Sequence, residues 1–364
     1  MSAYTSAGHL SRLAGSRGKT RPSESIGALP WAAVGTRVYD DGFIARLQDA
    51  LSLALPRWGL SPGCAPELLA ISENATFKVE VPGANAMVFR VHRPGYHTRA
   101  EIASELAWLD ALRAEGLVAT PHPIRQLDGS LIADIDDRGV PRHVVAFDFI
   151  SGREPVAGAA LAPWFRELGR IHAVLHDQAR RWRRPTDFAR KRWNFASTLG
   201  EAPLWGDWRA ALGLEAPGRA LLQRTVDVVG RACAAVGEGP EAFGLIHADL
   251  RLANLLVDGD RLTLIDFDDC GFSWFLYDFA AAVSFVEHEP FIPELKAAWI
   301  EGYGQRARLS AEQVRQLDLF VMLRRILLTA WIASHSETPT AQSLGAAYTD
   351  GTLALADSFL SSFA

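Results

Sequence analysis

The chain has 364 residues, of which 49% are hydrophobic and 22% charged, and its net charge is −5 with histidine counted as neutral. This length exceeds what one compact core normally holds, so two or three domains or lobes are predicted. The acidic balance gives no basic field for nucleic acid, and no apolar run predicts a membrane span. The scattered cysteines, Cys64, Cys233 and Cys270, are typical of reduced thiols in a cytoplasmic protein.

The first 34 residues differ in composition from the rest of the chain. They are rich in Ser, Gly and Ala, and Glu24 is their only acid. Because no apolar stretch follows their basic residues, a secretory signal is not indicated, and the composition favours a flexible tail over a transit peptide. Two lobes are predicted beyond it, at 35–150 and 151–364.

The first lobe has the patterns of an antiparallel sheet and one long helix. Apolar spacing predicts a helix at 38–58 and a long amphipathic helix at 99–115. Short β-branched and aromatic runs between turn signals predict strands. These strands lie at 68–71, 76–81, 87–92, 131–134 and 143–150.

The second lobe is predicted to be mostly helical, with one strand–loop–strand segment at 243–267. Together the two halves predict an α+β fold with two lobes and a cleft between them. The predicted helices lie at 161–176, 221–236, 293–303, 311–334 and 341–363.

The segment 244–257, GLIHADLRLANLLV, holds the most informative polar residues. His247, Asp249 and Asn254 lie between two apolar runs, and a predicted hairpin brings Asn254 beside Asp266. An amide and a carboxylate in this position suit Mg²⁺, which takes few protein ligands and completes its shell with phosphate and water. Asp249 is then placed to accept a proton from a hydroxyl, as phosphoryl transfer requires.

The spacing His247-x-Asp249-x-x-x-x-Asn254, followed by Asp266-Phe-Asp268, resembles the aminoglycoside phosphotransferase superfamily. That superfamily includes choline kinases, type II homoserine kinases and the stress-response kinase A group. The resemblance implies a protein-kinase-like fold, Asp249 as catalytic base, His247 as a brace of the loop, and Mg²⁺ on Asn254 and Asp266. Two other interpretations are a solvated polar hairpin and a hydrolytic metal site.

The resemblance also implies a nucleotide grip in the first lobe. Asn74 lies in the loop that would cover the phosphates, although an ordinary hairpin turn also fits. Arg90 stands where kinases have a lysine, with Glu105 as its expected ion-pair partner and Glu101 as the second candidate; a surface pair is the alternative. At 147–150 the main chain would present the carbonyl of Asp148 and the amide of Ile150 to adenine.

Acceptor-side candidates are less sharply defined. The acids Asp268 and Asp269 resemble those of the homoserine-kinase and stress-kinase branches, and Trp274 is a candidate for lining the acceptor pocket, although a large aromatic residue also fits the core. The basic stretch 180–192 fits a solvated connecting segment, a substrate subdomain or base stacking. His172 and His176, one helical turn apart, are interpreted as packing and capping residues.

These patterns predict an ATP- and Mg²⁺-dependent phosphotransferase with a small hydroxyl-bearing acceptor, such as an amino alcohol, homoserine or an aminoglycoside. A Ser/Thr protein kinase of the stress-response type and a non-catalytic nucleotide-binding protein are the alternatives. No nucleic-acid or membrane partner is predicted. The sequence leaves the acceptor and the oligomeric state open.

Overall fold

A computed structural model describes residues 40–61, 63–72 and 74–363, so the predicted tail at 1–34 lies outside the described residues. Within these ranges, the first half of the chain forms a six-stranded antiparallel sheet in the order β1-β2-β3-β6-β4, with β5 also paired to β6. The strands are β1 (Pro66–Ile71), β2 (Ala75–Val79), β3 (Met87–Val91), β4 (Pro123–Ile124), β5 (Ile132–Asp137) and β6 (Val140–Asp148).

The sheet packs between two helices, α1 (Asp41–Ala54) and α2 (Arg99–Ala114). Because neighbouring side chains of a strand point to opposite faces, Phe89 of β3 joins the core under α1, whereas Val88 joins the core that α2 shares with the second half. A capping box starts α2: the Thr98 side chain accepts from the amide of Glu101, and the Glu101 side chain accepts from the amide of Thr98.

The second half is mainly helical. Its most extensive helix–helix contact joins α3 and α7, whose backbones touch because Gly169 and Gly302 lack side chains. A Cβ at Gly302 would lie 1.8 Å from the carbonyl oxygen of Arg166. The helices are α3 (Ala162–Arg181), α4 (Phe195–Thr198), α5 (Ala216–Val236), α6 (Tyr277–Ala282), α7 (Ile292–Gly304), α8 (Ala311–Ser334) and α9 (Pro339–Phe363), the last interrupted at Gly345.

Two pairs of antiparallel strands carry the polar loop. Strand β7 (Phe243–Ile246) pairs with β10 (Gly271–Trp274), and β8 (Leu255–Asp258) pairs with β9 (Arg261–Leu264). The interlobe linker packs directly on β8: Arg153 and Val257 exchange two backbone hydrogen bonds of 2.9 Å, and a Cβ on Gly152 would lie 2.9 Å from that of Leu256. The hairpin is therefore fixed against the junction of the two halves.

The predicted α+β fold is confirmed, with small differences at element ends. The first helix ends at Ala54 and continues as a 3-10 turn, since Pro56 lacks an amide hydrogen. Strand β4, which has only two residues, and strand β10 were not predicted. None of the helices within the described ranges has the length and apolar character that a membrane crossing requires.

Candidate active site

A cavity of about 520 Å³ lies between the sheet and the helical half. Apolar side chains of the sheet half line one part of it, and polar side chains of the 249–269 region line the other, a combination typical of ligand sites. The apolar part includes Leu68, Ile71, Val88, Leu109 and Phe147, and the polar part includes Asp249, Asn254, Asp266 and Asp269.

Asp278 holds the loop that carries Asp249 in place through buried hydrogen bonds. One Asp278 oxygen accepts from the amide of Ala248 at 2.8 Å, and the other accepts from Nε2 of His176 at 3.0 Å. Ala248 has a positive φ of 67°, a conformation that costs a non-glycine residue free energy and must be held by its surroundings. These buried hydrogen bonds supply that support.

The buried carboxylate of Asp278 is surrounded by hydrogen-bond donors and histidine rings. Burial alone would raise the pKa of the Asp278 carboxyl, but His172 and the hydrogen bond from His176 bring it to about 2. Burial lowers the pKa of His172 to about 3, so this ring is neutral. The interpretation of His176 as a packing residue is therefore incomplete, because its ring also supports the loop.

His247 is fully buried and lies behind the loop. Its ring packs on Phe267 with centroids 4.3 Å apart, and its Nδ1 accepts from the amide of Asp249 at 3.4 Å. This position agrees with a brace of the loop and keeps the imidazole away from the cavity.

The Asp249 carboxylate faces the cavity with both oxygens engaged. Oδ2 accepts from Nδ2 of Asn254 at 3.0 Å, and Oδ1 accepts from Nη2 of Arg324 at 2.5 Å. The same Asn254 nitrogen also donates to the Asp249 carbonyl at 2.7 Å, which leaves the amide oxygen of Asn254 as a candidate cation ligand. Arg324 was not anticipated from the sequence.

Asp266 follows β9 and lies beside Asn254, as the hairpin predicted, because the Ile265 amide donates to the Asn254 carbonyl at 3.0 Å. About half of the Asp266 side chain (48%) lines the open cleft. Enclosure by the protein nevertheless raises the pKa of Asp266 to about 6, an effect that Arg90 opposes and the Asp268 carboxylate reinforces. Asp266, Asp268 and Asp249 therefore place several carboxyl groups close together, as a cation site requires.

These donors fit Mg²⁺ better than a metal held by protein alone. No group of three or more His, Cys, Asp or Glu in the described ranges is arranged to hold a metal ion. Asn254 and Asp266 offer oxygen atoms, and Mg²⁺ normally combines one or two such ligands with phosphate and water.

Arg90 pairs with Glu105, the partner that the sequence favoured over Glu101. Its Nη1 lies 2.8 and 3.0 Å from the two Glu105 oxygens and 3.2 Å from Asp268, while Nη2 lies 3.2 Å from Asp266. Burial alone would lower the pKa of Arg90, but Glu105, Asp268 and Asp266 raise it, so the guanidinium stays charged. The pair is buried, which excludes the surface-pair alternative.

Asp268 also lines the cavity, but its carboxylate is buried and paired within the protein, so its acceptor-side role stays a prediction. Its buried carboxylate accepts a hydrogen bond from Nδ2 of Asn74 at 2.7 Å. It also lies 3.2 Å from Nε2 of His97 and forms an ion pair with Arg90. Burial would raise the pKa of Asp268, but His97 and Arg90 hold it well below the usual range. Asn74, which also accepts from the amide of Arg93 at 3.1 Å, therefore fastens the β1–β2 loop to the helical half.

Asp269 and Trp274 differ in placement. Asp269 lines the cavity and accepts from the Tyr96 hydroxyl at 2.7 Å. Trp274, in contrast, is buried in the helical half, where its ring stacks on Phe320 and its Nε1 donates to the Gly237 carbonyl at 2.8 Å. The predicted acceptor role of Trp274 is wrong because this face of β10 points into the core.

The segment 147–150 lies along the cavity, which both Asp148 and Ile150 line. The Asp148 amide donates to the His122 carbonyl at 3.1 Å, and the Phe149 amide donates to the Ala86 carbonyl at 3.0 Å. These bonds fix the main chain at the position expected for the adenine contact.

The basic stretch 180–192 has two kinds of residue. Arg181 forms an exposed pair with Glu115, as a solvated segment would. Arg190 is buried and donates to the carbonyls of Cys270 at 2.6 Å, Glu101 at 2.8 Å and Asp268, so it joins α2 to the loop after β9. The solvated interpretation is therefore wrong for Arg190.

Comparison with known proteins places this site in context. The family model described as "Phosphotransferase enzyme family" (APH) matches residues 67–314, more than half of the chain. A solved microcompartment-associated aminopropanol kinase is 43% identical with a TM-score of 0.80, and the match covers 88% of this chain and 98% of that one.

Curated relatives agree with this match. The amicoumacin kinase of Bacillus subtilis is 22% identical over 292 residues, which cover 77% of this chain and 83% of that protein. The homoserine kinase of Parvibaculum lavamentivorans is 30% identical over 222 residues, which cover 58% and 63%. These matches confirm the resemblance and the kinase-like fold: the chain belongs to the phosphotransferase enzyme family.

Proposed function

We propose that this protein is an ATP- and Mg²⁺-dependent kinase that phosphorylates the hydroxyl group of a small amino alcohol. The observation that carries the proposal is the Asp249 carboxylate, which lines the cavity and is fixed by Asn254 beside Asp266. A positioned base next to oxygen ligands for a cation is the arrangement that phosphoryl transfer needs.

In this proposal the chain's residues have separate tasks. Asp249 accepts the hydroxyl proton as the acceptor oxygen bonds to the γ-phosphorus, the bond from that phosphorus to the β,γ-bridging oxygen breaks, and ADP leaves. Asn254 and Asp266 hold the cation, which when bound neutralises phosphate charge. Arg90 fixes the Asp266 carboxylate from the sheet side. Asp148, Ile150, Val88 and Phe147 line the cavity; the main chain of the first two would border the adenine, and the side chains of the other two would cover it.

The acceptor class rests on two supports. The solved aminopropanol kinase resembles this chain over nearly its whole length at 43% identity. In addition, the Asp269 carboxylate lines the same cavity as Asp249, beside the hydroxyl of Tyr96. A carboxylate that lines the cavity is a suitable partner for an ammonium group.

The alternative of a Ser/Thr protein kinase is less well supported. The relatives named above act on small molecules by their names. Thr338, Pro339 and Thr340, at the start of α9, also line the cavity. A non-catalytic protein is disfavoured by the retention of Asp249, Asn254 and Asp266 in one site.

A panel of acceptors tests this function by ADP release. It comprises 1-amino-2-propanol, ethanolamine, homoserine, an aminoglycoside and a Ser/Thr peptide, with 1,2-propanediol as an amine-free control. We expect an amino alcohol to give the highest kcat/KM, about 10–100-fold above its amine-free control. Preference for the peptide, or equal rates with and without the amine, would overturn the assignment.

A further inference from the structure

Helix α8 carries two consecutive buried arginines, Arg324 and Arg325, that bind different acids. Arg324 binds Asp249, and Arg325 binds Glu287 at 2.7 Å. A buried guanidinium is unfavourable unless its donors are paired, so each arginine needs a dedicated partner set. One set includes the candidate base, and the other is formed by Glu287 with α9 through Tyr348 and Thr352.

The guanidinium of Arg324 contacts three parts of the site at once. Its Nη2 donates to Oδ1 of Asp249 at 2.5 Å, and its Nη1 donates to the Ala248 carbonyl and the Tyr277 hydroxyl, both at 3.2 Å. Its Nε donates to Oγ of Ser284 at 3.2 Å. The planar group is thus fixed by Tyr277 of α6 and by Ser284, two residues beyond that helix, and it holds both the backbone and the carboxylate of the loop.

Charge balance supports the same arrangement. The Arg324 side chain is 3% exposed, and burial alone would lower its pKa. Tyr277 and Asp249 outweigh this effect and raise the pKa, so Arg324 remains a cation beside the Asp249 carboxylate.

Two opposed contacts restrict the Asp249 carboxylate. Oδ1 is held by Arg324, and Oδ2 is held by Asn254 at 3.0 Å. Rotation about the Cβ–Cγ bond would break both hydrogen bonds. Because proton transfer requires reacting atoms at hydrogen-bond distance and in the right direction, this restriction favours turnover.

We propose that Arg324 is a positioning residue for phosphoryl transfer, which acts by fixing the orientation of the Asp249 carboxylate. This inference rests on the function proposed above. It assigns Arg324 no contact with the nucleotide, so its effect is confined to steps that use Asp249.

The first test compares Arg324→Lys with Arg325→Lys in the full-length protein. A lysine ammonium keeps the charge at position 324 but lacks the fork that reaches Asp249, Tyr277 and Ser284 together. We expect Arg324→Lys to lower kcat about 10–100-fold, the loss that a misplaced catalytic group causes, while the KM for ATP stays near wild type. Arg325→Lys should destabilise the fold but keep kcat near wild type.

The second test is a double-mutant cycle with Asp249→Ala, measured as residual turnover. If Arg324 acts through Asp249, Arg324→Lys should lower the rate much less in the Asp249→Ala background than alone, because no carboxylate is left to orient. The inference would be overturned if the rate losses of Arg324→Lys and Asp249→Ala multiplied in the double variant. An equal kcat loss in Arg325→Lys would overturn it as well.

The proposed function and the role of Arg324 are rejected by different results. Full turnover by Asp249→Ala would reject Asp249 as the base and thus the proposed function. Loss of turnover in Asp249→Ala together with wild-type kcat in Arg324→Lys would reject the role of Arg324 alone.

Discussion

Nη2 of Arg90 lies 3.2 Å from Oδ1 of Asp266, so a buried cation of the sheet contacts the carboxylate that follows β9. The other terminal nitrogen, Nη1, binds Glu105 of α2. One guanidinium therefore connects the sheet, its helix and the candidate cation site. The forked shape of arginine makes this possible, since a lysine has a single nitrogen.

Two substitutions of Arg90 distinguish the effect of its positive charge from the effect of its forked shape. We expect Arg90→Lys to fold and to raise the KM for ATP about tenfold, because one ammonium loses either Glu105 or Asp266. Arg90→Met should lose about 3–5 kcal/mol of unfolding free energy, since buried acids lose their partner. Steady-state kinetics and urea unfolding measure both effects. Arg99→Lys is the control, because the Arg99–Asp134 pair is exposed. An unchanged KM in Arg90→Lys would contradict this role.

Removal of the divalent cation should stop turnover without unfolding the protein. Because the donors proposed for Mg²⁺ lie at the cleft surface, EDTA is expected to abolish ADP release and leave the melting temperature unchanged, and added Mg²⁺ should restore the rate. Asp266→Asn should raise the Mg²⁺ concentration for half-maximal rate about 10–100-fold. Asp260→Asn, in the exposed turn of the hairpin, serves as control. A wild-type Mg²⁺ requirement in Asp266→Asn would exclude Asp266 as a ligand.

Acid should destabilise the fold through His172. Its pKa is about 3 in the folded protein and near 6.5 when unfolded, so the unfolded state binds the additional proton between these values. Stability is therefore present above pH 6.5 and is lost as the pH falls, by about 1.4 kcal/mol per pH unit for one such histidine.

The variant His172→Gln isolates this contribution. Glutamine retains an acceptor for Nε1 of Trp299, which lies 2.8 Å from Nδ1 of His172, but does not titrate. Urea unfolding between pH 4.5 and 6.5 should show a shallower pH dependence in the variant. Identical slopes would show that His172 does not contribute.

The contact of α3 with α7 predicts a large effect from a single methyl group. Gly302→Ala would place Cβ against the Arg166 backbone, so the helices must separate, at a cost of about 1–3 kcal/mol or more. Gly304→Ala, in the same helix, meets no atom of the described residues within 4 Å and should be close to neutral. Thermal unfolding compares the two, and equal melting temperatures would contradict the packing.

Local patterns were sufficient for the polar hairpin, whereas the pairing of Arg90 with Glu105 was predicted with the help of the family resemblance. Asn254 and Asp266 are joined by a short hairpin whose register follows from its apolar residues, so their adjacency could be predicted. Arg90 and Glu105 lie on a strand and the next helix, 15 positions apart, which limits the choice of partner.

Contacts between elements that are far apart in the chain could not be predicted from the sequence. Arg324 meets Asp249 across 75 positions, and His176 meets Asp278 across 102. Helix α8 is buried on most sides near Arg324, so periodicity gave no face that would point to the loop. Trp274 was assigned to the acceptor side by its distance from Asp269 in the chain, whereas the face of β10 determines where it points.

In the proposed reaction, Asp249 accepts the proton of an amino-alcohol hydroxyl during transfer of the γ-phosphate. The most direct measurement is ³¹P NMR of the product formed from ATP and 1-amino-2-propanol by wild type and by Asp249→Asn, with nucleotide affinity measured in parallel. We expect an O-phosphate ester from wild type, about 10²–10⁴-fold slower formation by Asp249→Asn, and equal nucleotide binding. Formation of the ester by Asp249→Asn at the wild-type rate would contradict the account.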